Sequence, residues 1–360
     1  MVRVLPWDEK VEGLSRPACM PVFSGTLGTC TEQAVGRSSA TNLIVRRGTV
    51  LGGDALEAAA ARGREVGHPC GLRLSGRLGE LVTEASLGQD PVAIWYGASV
   101  DDDLSALPVV ELDPAERLVD VQLGEGPMPL SDRLVLRVDH QVQLLWANLL
   151  GLGSTLWRGL LHRHPVIAAL RAAWGGLRGG GLSGGHVARG LSAGPGVHRD
   201  ATVEACLLGE GVVIEPGAVV RGCVLGPGAR VEANAVCEAS VLGPDAVVQR
   251  QAMLRFSVLG PGAMHGGAAQ LAVFGAGASM KLGSYLMDQG FDQDVRVPVA
   301  GRFVRAPLGL AGVCLGEGSR IGSGVWVAPG RVIPPGGVVV AEQVLRSFDR
   351  PAPYTAWSEE

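Results

Sequence analysis

Through the second half of the chain an aliphatic residue recurs every five or six positions, with Gly, Pro, Asn or Asp in the gaps. Leu208, Ile214 and Val220 lead to Leu225; Val231 and Cys237 lead on to Leu242; Val248 and Leu254 lead on to Leu259. The intervals are six, six and five, and they sum to one repeating unit of seventeen. Triplets ending in glycine keep the same beat: Leu207-Leu208-Gly209, Val224-Leu225-Gly226, Val241-Leu242-Gly243, Val258-Leu259-Gly260 and Val273-Phe274-Gly275. Their first three intervals are full units and the last is shorter by two. One aliphatic residue per six, followed by residues that tolerate tight backbone angles, describes short flat strands ending at corners. Three such strands close a triangle, and stacked triangles make a parallel β-helix whose inward residues form columns. The position before each triplet reads Cys206, Cys223, Ser240, Ser257 and Ala272, all small, as a crowded corner requires. On this reading the cysteines are packing residues, not ligands or nucleophiles. Farther on, Leu315, Ile321, Val327 and Ile333 continue at intervals of six.

The rhythm is expected to fail between 276 and 312, and long excursions on a repetitive scaffold usually carry function or cover an edge. The β-helix is expected to end near Val340. The first half reads as mixed α/β, with strand-like runs at 2–5, 42–46, 71–74, 92–96, 118–122 and 134–138. Asp54 is expected to cap a helix over 55–65 that Gly67 stops. Asp139 is expected to cap a helix from 140 to 150 that runs on toward 162, and Pro165 to open another over 166–174. Residues 175–185 hold seven glycines in eleven positions and read as a linker. The organisation expected is therefore an α/β domain over 1–138, a helical and Gly-rich linker over 139–190, a β-helix over 191–340 and a cap over 341–360. Leu144, Leu145, Trp146, Leu149, Leu152 and Trp157 give the linker helix a wide apolar surface beside Arg158, Arg163 and Arg171. Attachment to a membrane surface and packing between domains both suit it, and packing is the favoured expectation.

Composition narrows the partners. A net charge of −4 supplies no basic field, so no nucleic acid is expected. Lys10 and Lys281 are the only lysines, which limits any chemistry that needs an amine. Seven cysteines without a C-x-x-C pair indicate neither a disulfide framework nor a zinc site, and they suit a reducing cytoplasm. Acidic residues stand where a signal peptide would be apolar, and a cytoplasmic protein is expected. The run Asp101-Asp102-Asp103 reads as a solvated loop, and no metal site is expected.

An α/β domain, a connecting helix and repeat turns containing Arg221-Gly222-Cys223-Val224-Leu225-Gly226-Pro227-Gly228 together resemble the sugar-1-phosphate nucleotidyltransferases with hexapeptide tails. A closer likeness, over roughly 195–340, is to the bifunctional N-acetylglucosamine-1-phosphate uridyltransferase family, whose tail acetylates an amino sugar. The resemblance implies a left-handed parallel β-helix, a homotrimer and acyl-CoA (acetyl-CoA) held between neighbouring β-helices. A sugar phosphate or nucleotide sugar would be the small-molecule partner. His265 stands ten positions before Gly275, as the family's histidine does, and Phe291-Asp292 follows as the family's F-D pair does. The resemblance makes His265 the general base that takes a proton from the sugar amine. Asp288 replaces the family's Asn, Ala268 its Tyr, and Lys281-Leu282-Gly283-Ser284 its G-A-G-T step. Asp288 and Lys281 are accordingly the candidates for substrate binding, and Arg302, Arg305, Arg320 and Arg331 for the CoA phosphates.

The first half departs further from that family. After the first strand no glycine occurs until Gly13, so the loop whose backbone would cradle nucleotide phosphates is missing. Leu14-Ser15-Arg16-Pro17 and Leu144-Leu145-Trp146-Ala147-Asn148 still resemble stretches of degenerate members. The expectation is a reduced nucleotidyltransferase-like domain without nucleotidyl transfer, and Mg2+ dependence stays open. Two functions follow: an acyl-CoA-dependent amino-sugar acyltransferase, or a non-catalytic trimeric scaffold or sugar-nucleotide sensor.

Overall fold

A computed structural model describes residues 2–5, 11, 14–15, 20–22, 25–119, 127–162, 195–290 and 294–341. The expected helix over 166–174, the linker at 175–185, the Phe291-Asp292 pair and most of the cap lie outside the described residues. The first half is built on a five-stranded sheet in the order Val2–Leu5, Leu43–Arg46, Ile94–Tyr96, Cys70–Leu74 and Val109–Leu112. The outer pairs are parallel, and Ile94–Tyr96 runs antiparallel to both its neighbours. The α-helices that accompany it among the described residues are α1 (Leu27–Arg37), α2 (Ala55–Val66), α3 (Gly76–Ala85) and α4 (Gln141–Trp157).

Helices α1 and α3 escape the sequence pattern because each contains two glycines and depends on tertiary contacts. For α3 the contact is an anion supplied from elsewhere in the chain. The Glu116 carboxylate accepts from Arg77 N at 2.8 Å and Leu78 N at 2.7 Å, at the positive end of the helix. The two expected caps are corrected. Asp54 precedes α2 but makes no capping bond, because its carboxylate pairs with Arg133 Nε at 3.2 Å. At α4 the cap is His140, not Asp139. Its Nδ1 accepts from Val142 N, and Gln143 Oε1 accepts from His140 N in return.

Helix α4 binds the two halves together. Leu144, Leu145, Trp146, Leu150 and Leu152 are buried, so most of the apolar surface weighed for a membrane lies in the core, while Trp157 at its end is 50% exposed. Asn148 Nδ2 donates to Pro21 O at 3.2 Å, while Leu152 and Leu156 pack on Val241 of the repeat. No helix among the described residues is long and apolar enough to cross a membrane.

The second half is a left-handed parallel β-helix of three seven-stranded sheets. The first sheet begins at Thr202–Glu204, the second at Leu207–Leu208 and the third at Val213–Ile214. Ladder partners stand one sequence repeat apart, as in Val220↔Cys237 and Leu225↔Leu242. Inward columns such as Ile214, Val231 and Val248 are almost wholly buried and form one core. The expected break is narrower than 276–312, because Ser279–Met280 and Tyr285–Leu286 remain regular rungs. The excursion leaves after them as a hairpin, Arg296–Val299 with Arg302–Arg305, and the chain rejoins the second sheet at Cys314–Leu315. The last rung is Val338–Val339.

The tightest corner of each coil has a left-handed backbone at Ala205, Gly222, Ala239, Phe256 and Leu271. Phe256 and Leu271 are buried there and join the core shared with the first half. Val258, Val273 and Cys314, three of the outward residues of the second sheet, belong to that same core, and Val241 packs on Leu152 and Leu156 of α4. The second sheet is thus the docking face for the α/β half, which leaves the first and third sheets to meet solvent.

Candidate functional site

Residues in a β-strand point alternately to either side, so in Met264–His265 one side chain faces out and the other in. His265 is the inward one. It occupies the column of Ile214, Val231 and Val248, pairs with Met280 on the next coil and has no exposed surface. Its Nε2 lies 3.0 Å from Met253 O, and its Nδ1 has no hydrogen-bond partner. Burial drives its pKa down to about 4, although carbonyls of Met253 and Gly267 favour the charged ring. The coil shortens beside it, at Gly266-Gly267, so that Val273 pairs with Val258 two positions sooner than Val258 pairs with Val241. A Cβ on Gly267 would come within 2.2 Å of Ser284 O, and one on Gly266 within 2.7 Å of Met280 O. Enclosed in this way, the imidazole presents no ring atom at the surface of the β-helix.

Asp288 lies on a different side of the coil. Its Oδ2 accepts from Gln270 Nε2 at 2.8 Å, and burial raises its pKa, opposed by that bond and by Arg255. It ends a charged ladder down the first sheet. Arg221 bridges Glu204 at 3.0 Å and Glu238 at 3.3 Å, and Arg255 returns to Glu238 at 2.9 Å. Lys281 is exposed at a corner of the third sheet, where its backbone N bonds Ile321 O, and Arg320 is exposed on the adjoining rung. Within the expected set, those two adjoin on one face of the β-helix.

The remaining arginines are spread out. Arg305 on the hairpin is held by Asp294 at 2.6 Å and approaches Glu84 of α3 at 3.7 Å. Arg302 is exposed on the same hairpin, and Arg331 is exposed just before the second sheet's Val332–Ile333. Among the described residues no group of three His, Cys, Asp or Glu side chains could hold a metal. The run Asp101 to Asp103 forms turns, with Asp102 accepting from Ser99 N and Asp103 from Ser105 Oγ.

The surface also carries a feature that the inward repeat does not display. Residues directly preceding the inward column of the first sheet face outward, and there Val219, Val236, Met253, Ala268, Tyr285 and Trp326 align rung upon rung. Tyr285 and Trp326 make an edge contact with ring centroids 6.2 Å apart, and Trp326 is 71% exposed. The signal in the sequence is a set of apolar outward residues at the repeat spacing, but Tyr285 and Trp326 stand far apart along the chain because the hairpin intervenes.

A family model described as GlmU-like, C-terminal hexapeptide, matches residues 184–264. Among solved structures the chain is similar to a hexapeptide transferase family protein from Anaplasma phagocytophilum, at 17% identity over 40% of this chain and 72% of that one, with a TM-score of 0.25. It is also similar to the acetyltransferase domain of PglB from Neisseria gonorrhoeae, at 16% identity over 76% of this chain and 97% of that one, with a TM-score of 0.19. No curated protein matches. Residues 184–264 therefore carry the hexapeptide signature to which the repeat pointed, and the β-helix built from it is of the hexapeptide type.

Proposed function

We propose that this protein is a non-catalytic, homotrimeric relative of the hexapeptide sugar-nucleotide transferases, acting as a scaffold or sugar-nucleotide sensor. The observation that carries this reading is the enclosure of His265. A base must reach the proton it removes, within hydrogen-bond distance or through one water, and this ring instead packs in a core column. The absence of a glycine-rich loop after the first strand supports loss of nucleotidyl transfer from the α/β half as well. The exposed column ending in Tyr285 and Trp326 supports self-association, since a three-fold arrangement of first sheets would cover it.

A second reading is acyl transfer from acetyl-CoA to an amino sugar, which the family match over 184–264 favours. Its base would be Asp288, which accepts from Gln270 Nε2 at 2.8 Å and whose pKa burial raises. Release of CoA thiol in the presence of amino-sugar phosphates separates the two. No turnover above the enzyme-free rate is expected; turnover abolished by Asp288→Asn, with the oligomer intact, would replace the first reading by the second.

A further inference from the structure

One face of the hairpin over 296–305 is fixed to the rest of the fold, and the other meets solvent. Residues two apart in a strand share a face, as do residues directly opposite across a ladder. Val297 and Val299 point to one side and are buried in the core shared with the α/β half, against which Val304 of the opposite strand also packs. The backbone is held too. Pro298 O lies 3.0 Å from His140 Nε2 at the start of α4, and just beyond the hairpin Leu308 N donates to Glu84 of α3 at 2.9 Å.

The solvent face carries Arg296 opposite Arg305 and Pro298 opposite Phe303. Phe303 is 63% exposed, and among the described residues its ring meets no other ring. Like charges directly opposite each other cost stability, and only one of this pair is neutralised. Asp294 holds Arg305 at 2.6 Å, whereas Arg296, and Arg302 at the turn, have no ion pair among the described residues. Charge along the β-helix is sorted in the same sense. Residues 195–248 include seven acidic and three basic residues, and residues 249–340 include eight basic and four acidic. In the first stretch every arginine has a carboxylate partner. In the second, Arg250, Lys281, Arg296, Arg302, Arg320 and Arg331 are exposed and have none among the described residues. A chain of net charge −4 thus presents a positive end, and the hairpin adds an exposed aromatic ring to it.

We infer that the Phe303 face of this hairpin docks on an anionic lipid surface. Arg296 and Arg302 meet lipid phosphates, for which a guanidinium fork is suited, and the remaining unpaired cations turn this end of the molecule toward the surface. Phe303 and Pro298 enter the boundary between headgroups and acyl chains. A soluble anion would satisfy the arginines and leave the Phe303 ring in water, whereas phosphates laid over an apolar layer satisfy both. The fixed inner face suits the role, because docking then orders no further chain. This contact is separate from the apolar surface of α4, and it does not depend on whether the β-helix turns over acetyl-CoA.

The test is flotation of the full-length protein with vesicles of phosphatidylcholine alone and of an equal mixture with phosphatidylglycerol. Binding is expected to the mixed vesicles only. Raising salt from about 0.1 M to about 1 M, which shortens the Debye length from about 10 Å to about 3 Å, should release most of it. Arg296→Ala and Arg302→Ala should each weaken binding about fivefold, and Phe303→Ser at least as much. All three side chains are exposed, so the variants should keep the wild-type melting temperature. Lys281→Ala removes a like charge from the third sheet and should change binding less than about twofold. No flotation with the mixed vesicles would overturn the inference, as would an equal loss in Lys281→Ala. Capture of polyglutamate without flotation would assign the face to an acidic protein instead, and would overturn it too.

Discussion

His265 and Phe274 meet edge to face inside the β-helix, with ring centroids 5.4 Å apart and planes inclined at 81°. The two rings come from different sheets of the shortened coil, and together they fill the interior beside the Gly266-Gly267 corner. An imidazole in that place behaves as a core aromatic with one polar edge, turned toward Met253 O.

Acid should therefore destabilise the fold through this ring. His265 has a folded-state pKa of about 4 against 6.5 for the free side chain, so between those values the unfolded chain takes up a proton that the native one refuses. Its contribution is complete above about pH 6.5 and is lost as pH falls toward 4. His140, buried with Nε2 on Pro298 O and likewise lowered to about 4, adds a second term of the same sign. Each ring should remove about 2 kcal/mol between pH 8 and pH 5. Urea unfolding at the two pH values measures the sum, and His265→Met should abolish about half of the difference.

The small residues before each triplet do more than fit a corner. Ser257 Oγ donates to Arg255 O at 2.6 Å within its own coil and accepts from Ala272 N at 3.0 Å in the next. Ser240 accepts from Ser257 N at 3.1 Å, and Cys206 Sγ accepts from Cys223 N at 3.4 Å. Ser257→Ala would strand a buried amide and should cost about 1–3 kcal/mol, whereas Ser257→Cys keeps a weaker acceptor and should cost less. Equilibrium unfolding of the two variants provides the comparison. A neutral Ser257→Ala would mean that size alone selects this column.

The repeat could be read from the sequence because its period is short, local and nearly invariant, so that Val231 or Leu254 announces its neighbours without knowledge of the fold. The orientation of His265 could not, since the shortening at Gly266-Gly267 changes what ten positions before Gly275 means in space. Similarly, Asp54 carries the sequence of a cap, but Arg133 lies 79 residues away and captures its carboxylate. The candidate arginines looked like one group because they are close in sequence. The fold divides them among a hairpin, the third sheet and a corner.

Self-association should depend on the exposed column of the first sheet. Trp326 and Tyr285 stand on consecutive rungs above Ala268 and Met253, and both rings reach solvent. Sedimentation equilibrium of the wild type is expected to give three times the 37.2 kDa chain mass. The double variant Tyr285→Ser, Trp326→Asp places a charge in the column and should give the monomer mass with an unchanged far-ultraviolet spectrum. A wild-type monomer, or a trimer in the variant, would move the contact elsewhere.

The tight corners offer a direct comparison between strain and burial. Gly222 and Phe256 occupy equivalent positions with φ of 59° and 47°, yet one has no side chain and the other is almost buried against the first half. A Cβ on Gly222 would meet only Leu156 Cδ1, at 4.0 Å, and Ala205 and Ala239 already hold the same conformation. Gly222→Ala should thus cost only the left-handed penalty, about 1–2 kcal/mol, offset in part by a stiffer unfolded chain. Phe256→Gly relieves the same penalty but removes a ring from the shared core, and deleting a buried Phe costs roughly 3–5 kcal/mol. Its net effect should be a loss of about 2 kcal/mol, with hydrogen exchange rising first along α4 and the second sheet, where the two halves meet. If Phe256→Gly were neutral, strain at this corner would equal everything the ring contributes by joining the halves.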